Sequence, residues 1–179
     1  LFTARINQHF MEGSFSKGVV QIAPLEAELE AYASKLDLHR VLVFYYKIAC
    51  LHFGAGDNAT AISYLQKIIH CKTDLRSDLQ CYARLLHLIA HYELGNYDIL
   101  EHLIKSVYRF MAKMESLTVV EEAIFQFLRS SFASTPVKII PQFAKLHQRL
   151  SKLQGSALET RSFMYLDILS WLESKMQSK

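Results

Sequence analysis

Apolar residues recur along this chain at steps of three and four, the period of a helix with one buried face. Phe2, Ile6 and Phe10 end a first helix at Gly13. Val19, Ile22, Leu25 and Leu29 stripe a second segment from Phe15 to about Lys35, and Pro24 inside it predicts a kink or a split. Asp37 opens a third helix to Phe53, with Val41, Tyr45, Ile48, Ala49 and His52 on one face. Gly54-Ala55-Gly56 stops it, and Asp57 or Asn58 caps its partner, which runs to about Ile69 with Ala61, Leu65 and Ile68 inward. A third hairpin starts near Asp74 or Ser77, carries Leu85, Leu88, Ile89 and Tyr92, turns at Gly95-Asn96, and returns to Met114 with Leu100, Ile104, Val107 and Met111 as its stripe. Further helices are expected over about Val119–Ser131 and beyond Pro141, where Phe143, Leu146, Leu150 and Leu153 form a seam. A last helix runs from Ser156 to about Met176. Ser77 with Gln80, Thr118 with Glu121 and Ser156 with Glu159 each fit a capping box. Phe163, Met164, Leu166 and Trp171 widen the apolar face of the last helix to most of its circumference, which predicts burial on several sides.

One short pattern occurs three times: His9-Phe10-Met11-Glu12-Gly13, His52-Phe53-Gly54-Ala55-Gly56 and His91-Tyr92-Glu93-Leu94-Gly95. Its glycines stand 43 and 39 residues apart. Self-similarity at that period predicts stacked helical hairpins, none of which buries its apolar face alone. The expected fold class is therefore all-α, a right-handed α-solenoid of about nine helices in antiparallel pairs. The expected organisation is one helical-repeat domain over 1–179, made of hairpins at 1–36, 37–72, 73–115 and 116–155 and a C-terminal helix at 156–179.

Composition narrows the picture. With 51% apolar and 21% charged residues the chain has material for a core and is not of the disordered class. The net charge of +3 hides an asymmetry: residues 1–100 carry −1 and residues 101–179 carry +4. Between Glu122 and Glu159 there is no acid, while Arg129, Lys138, Lys145, Arg149 and Lys152 form a basic face suited to an acidic partner. Cys50, Cys71 and Cys81 make no CxxC pair and are odd in number, which points to a reducing cytoplasm rather than a secreted disulfide framework. No run of 18 apolar residues suggests a membrane span, and no signal peptide is visible.

The turn regions resemble the tetratricopeptide repeat. In that family a small residue follows the turn glycine by five positions and a bulky apolar one by nine. Here Gly13 is followed by Gly18 and Ile22, and Gly56 by Ala61 and Leu65. Gly95 is followed by Leu100 and Ile104, without the small residue. Ala49 fits the family's other small position, and Leu88 departs from it. His9, His52 and His91 stand where the family usually has tyrosine. The likeness covers roughly residues 1–115, and the Trp171-Leu172-Glu173-Ser174-Lys175 ending resembles a group of uncharacterised bacterial proteins with such repeats. The resemblance implies a concave groove that takes peptides or helices. It places Phe10 from the first copy, Tyr46, Cys50 and Phe53 from the second, and Tyr82, Leu85, Ile89 and Tyr92 from the third in that groove. The Lys and Asn of the chaperone-binding subgroup are missing.

Catalytic chemistry finds little footing. His87 and His91, four apart, share a helix face as two zinc ligands can, but no third ligand has clear spacing, so no metal site and no cofactor are expected. The repeated histidines read as packing groups that fill a tyrosine's space, each with a ring nitrogen on a backbone carbonyl. There is no GxSxG elbow, no activated cysteine and no phosphate-cradling loop. The chain is therefore expected to be no enzyme, but a cytoplasmic module binding a protein or peptide partner through the groove. A structural or homodimerising domain is the first alternative, with Met164 and Trp171 as the interface. A regulator contacting nucleic acid through the basic 129–152 segment is the second, although nucleic acid is not the expected partner.

Overall fold

The computed structural model describes residues 2–32, 36–71, 76–131 and 136–177. These hold ten helices and no strand. In chain order they are α1 (Phe2–Glu12), α2 (Phe15–Tyr32), α3 (Leu38–Gly54), α4 (Asn58–Ile69), α5 (Ser77–Glu93), α6 (Tyr97–Lys113), α7 (Val119–Ser131), α8 (Pro136–Ser151), α9 (Thr160–Tyr165) and α10 (Ile168–Gln177). The all-α expectation holds. Among the described residues no helix is long and apolar enough to cross a membrane.

The chain forms two compact units, Leu1–Asn96 and Tyr97–Lys179. The boundary falls at the Gly95-Asn96 turn, inside the third expected hairpin. In the first unit α3 packs on α2, α4 and α5, α4 packs on α5, and α1 packs on α2 and α3. Its core is formed by Ile6, Leu42, Ile48, Leu51, Leu65, Ile68, Leu85, Leu88 and Ile89, all fully or almost fully enclosed. Burying one such side chain stabilises the fold by roughly 1.5–3 kcal/mol. In the second unit α8 packs on α7 and α10, and α6 packs on α7. Phe125, Phe127, Phe143, Leu146, Leu150, Ile168, Trp171 and Leu172 are its buried residues around those contacts.

Two prolines lie inside helices. Pro24 does not end α2, which continues from Phe15 to Tyr32, and Pro141 lies within α8. Each removes one intrahelical donor. Ile22 and Leu25, buried on either side of Pro24, and Phe143 and Leu146 beyond Pro141 hold the helices against the core.

The last expected helix is in fact two. α9 ends at Tyr165, Leu166 is extended, and α10 restarts at Ile168. Asp167 supplies the reason: its carboxylate accepts from the Ser170 amide at 3.4 Å and its carbonyl from the Trp171 amide at 3.3 Å, which makes it a new N-cap. The helix buried nearly all round is α5, not the C-terminal one. Leu79 through Ala83, Leu85 through Ala90 and Tyr92 are all buried. The small residues Ala83 and Ala90 and the polar Gln80 and His87 disguised that burial in the sequence.

Candidate functional site

The three repeated turns are built alike. Gly13, Gly56 and Gly95 have φ of 63°, 83° and 71°, the left-handed region where a Cβ is disfavoured. In each, the amide just after the glycine reaches back five positions: Ser14 to the His9 carbonyl at 3.0 Å, Asp57 to His52 at 2.9 Å and Asn96 to His91 at 3.1 Å. This is the Schellman termination, which satisfies a carbonyl the helix leaves open. α6 ends in the same shape with other residues: Glu115 takes φ 52°, and the Ser116 amide reaches the Met111 carbonyl at 3.0 Å.

The histidine side chain doubles each of the three turns. His9 Nδ1 lies 2.8 Å from Ser14 Oγ, His52 Nδ1 lies 3.1 Å from Asp57 Oδ2, and His91 Nδ1 lies 2.9 Å from Asn96 Nδ2. The expected partner of the ring was a backbone carbonyl. The actual partner is the side chain just after the glycine, so the repeated unit is His-aromatic-x-x-Gly followed by Ser, Asp or Asn. These are the residue types that cap helices, and Asp57 does so at α4 by accepting from the Thr60 amide at 3.1 Å. Burial pushes the Asp57 carboxyl up, but Thr60 and His52 outweigh it and hold it below the ordinary carboxylate range.

The other ring nitrogen differs from copy to copy. His9 Nε2 meets Gln21 Oε1 at 3.1 Å, and His52 Nε2 meets Glu26 Oε1 at 3.0 Å. His52 thereby ties α2 to the α3–α4 turn. Each ring nitrogen of His52 thus faces a carboxylate oxygen, Asp57 on one side and Glu26 on the other. His91 Nε2 meets His87 Nε2 at 3.3 Å, with the two rings edge to face at 4.4 Å between centroids. Burial first, and then the neighbouring His91, His70 and Arg84, lower the His87 imidazole to about 4, and burial lowers His91 as well.

The expected groove residues are mostly inside. Tyr46, Tyr82, Leu85, Ile89 and Tyr92 are buried, with Tyr82, Leu85 and Ile89 at 1% exposure or less. They are core of the first unit and do not form an open wall; α5, which carries four of them, is packed against α4 and α3. Cys50 and Phe53 on α3 are half-exposed, and the Phe10 side chain lies outside the described ones.

The expected interface also divides. Met164 is 78% exposed, but Trp171 is buried at 7%. Its indole meets Phe143 at 5.7 Å and Phe127 at 6.3 Å, both edge to face, so it anchors the core of the second unit rather than a neighbouring molecule. Of the basic face, Arg129, Lys145, Arg149 and Lys152 are exposed, and the Lys138 side chain lies outside the described ones. Arg149 donates to Gln126 at 2.9 Å, and the Arg129 guanidinium lies 4.7 Å from the Tyr108 ring centre.

Sequence reading missed a buried carboxylate pair in the second unit. Glu121 is fully enclosed and Glu159 nearly so. Glu121 accepts from the Thr118 amide at 2.9 Å, which realises half of the expected capping box. Glu159 does not cap its own helix with Ser156 as expected. It reaches instead to the start of α7, accepting from the Val119 amide at 3.3 Å and the Val120 amide at 3.2 Å, while the Thr118 hydroxyl contacts both carboxylates. Ser162 donates to Glu121. The favourable field of the α7 N-terminus explains why Glu159 goes there. Gln80 is diverted likewise: it donates to the Ile68 carbonyl at 2.7 Å at the end of α4, and α5 starts after Arg76 with no side-chain cap.

A cleft of about 260 Å³ in the second unit is lined by His147, Ser151, Phe163, Asp167 and Glu173 among others. His147 Nε2 and Glu173 Oε1 pair there at 3.0 Å, but the Ser151 hydroxyl is spent on the His147 carbonyl. No group of three or more ligating side chains meets among the described residues. Compared with known proteins, the chain matches no family model, no curated protein and no solved structure.

Proposed function

We propose that this chain is a non-enzymatic, cytoplasmic protein-interaction module, a right-handed α-solenoid of antiparallel, tetratricopeptide-like helix pairs that takes a peptide or helix of a protein partner. The observation that carries the reading is the threefold recurrence of one histidine-clasped turn, with a left-handed glycine, an amide bond reaching back five positions and an Nδ1 contact to the side chain after the glycine in every copy. Arrays of alike hairpins expose a continuous surface for extended partners. With Tyr46, Tyr82, Leu85, Ile89 and Tyr92 committed to the core, the docking strip narrows to the half-exposed Cys50 and Phe53 of α3. In a Cys71→Ser background, a photo-crosslinker attached at Cys50 is expected to label a bound polypeptide, and Phe53→Glu to abolish the adduct at unchanged helicity. An adduct indifferent to Phe53, or none, rejects the docking strip.

The basic segment supports a second reading, a regulator that contacts nucleic acid. Arg129, Lys145, Arg149 and Lys152 are exposed, and among the described residues none pairs with a carboxylate. A partner held there by its phosphates would lose affinity steeply as salt rises. Flat salt dependence, or unchanged binding in a Lys145→Glu/Arg149→Glu variant, removes this reading.

A further inference from the structure

The third histidine turn differs from the other two in what its Nε2 meets. His9 and His52 face an amide and a carboxylate, whereas His91 faces a second imidazole, one helical turn back on α5. The two Nε2 atoms are 3.3 Å apart. Two bonds of about 2.0–2.1 Å to a tetrahedral zinc ion span about 3.3–3.4 Å, so the spacing is already that of two ligands on one ion. We propose that His87 and His91 form an exchangeable two-imidazole chelate for a late first-row divalent cation of the zinc, nickel and copper class.

The hydrogen bonds around the pair set its proton count. Asn96 Nδ2 donates to His91 Nδ1, so the His91 proton sits on Nε2 and points to the lone pair of His87 Nε2. A cation replaces that shared proton. Small rotations of the two rings aim both lone pairs at one point, and the proton moves to His91 Nδ1 through solvent. Rotation of the Asn96 amide then presents Oδ1 as its acceptor. Two dative bonds form, the two rings remain neutral, and no net proton is released. Asn96 becomes the outer partner that fixes the ring of a metal-bound histidine, its amide oxygen standing where a carboxylate, backbone carbonyl or water usually does. His91 is half-exposed, so the pair is reached from solvent and the remaining coordination positions go to water.

The same surroundings limit the affinity. No third ligating side chain meets the pair among the described residues, and Arg84 and His70 act on His87 electrostatically. Arg84 is engaged by the Gln80 carbonyl and side chain and by the Ile69 carbonyl. The site is thus a loading site for an exchangeable ion rather than a resident structural centre, and imidazole ligands order the ions as zinc or nickel below copper.

The test uses the tag-free full chain. Calorimetric titration with Zn²⁺ is expected to show one site, with affinity reduced at least tenfold in His87→Gln and in His91→Gln. At substoichiometric Cu²⁺, the electron paramagnetic resonance spectrum of the native chain is expected to show two imidazole nitrogens. Zinc binding unchanged in the double variant, or a copper spectrum with fewer than two nitrogens, overturns the assignment. Should the double variant fail to fold, the copper spectrum of the native chain decides alone.

Discussion

At the scale of residues, the histidines carry the most physical content. His52 is buried, clasps Asp57 across the turn and pairs with Glu26 from α2. His52→Ala leaves Glu26 without that donor and opens a cavity, so a loss of about 1–3 kcal/mol is expected from chemical denaturation. His87 answers to pH. Its native value is lowered from 6.5 to about 4, and that of His91 is lowered too, burial being the first cause in both. The unfolded chain then takes up protons that the native chain refuses. Stability is full above about pH 6.5 and falls as pH drops towards 4, by at most roughly 3 kcal/mol for His87. Unfolding midpoints measured across that window are expected to slope in the native chain and to flatten in His87→Leu. A midpoint equally steep in the variant would assign the slope elsewhere.

At the scale of elements, the fold depends on small residues where helices cross and on caps supplied from a distance. A Cβ at Gly54 would lie 2.5 Å from the Phe15 ring, and one at Gly18 would lie 3.1 Å from both His9 and Leu51. Gly54→Ala therefore forces the α2 entry away from α3, with an expected cost of about 1–3 kcal/mol. Ala61 is fully buried in α4, and Ala61→Leu is expected to cost a similar amount by overpacking. Unchanged denaturation midpoints would refute either placement. In the second unit, Glu159→Ala strips the start of α7 of the acceptor for two amides and is expected to cost about 1–3 kcal/mol. Faster amide exchange confined to the first turn of α7 is the signature that separates this from a general loosening.

At the scale of the whole molecule, each unit has a core of its own, and Trp171, the single tryptophan, lies in the second. Enclosed by Phe127 and Phe143, it is expected to emit as a buried indole and to report the unfolding of that unit. Trp171→Ala removes a large core side chain, with an expected cost of about 3–5 kcal/mol. This differs from the surface-anchor reading, in which the same change leaves stability intact and weakens association. Denaturation followed by far-ultraviolet circular dichroism tells the two apart.

How much was legible follows from the range of each interaction. Helix period, turn glycines and the residue types that follow them are local properties, and the chain states them within a few positions: α3, α4 and the turns at Gly13, Gly56 and Gly95 lie where the apolar stripes and glycines place them. The pairing of His9 with Ser14, of His52 with Asp57 and of His91 with Asn96 was available too, as a five-residue spacing common to all three copies. What the sequence alone left open was which polar group meets which across the fold. Glu159 has a serine three residues before it and so reads as a local cap, yet the unpaired amides at the α7 start, about forty positions earlier, offer it a stronger partner. Trp171 and Met164 sit on one apolar surface in the sequence. The break at Leu166-Asp167 re-aims the chain between them, so that one is buried and the other exposed. An apolar stripe records that a face is covered; only the packed helices decide by what, because covering a face takes an apolar surface of any origin and lining a groove requires that the surface stay open.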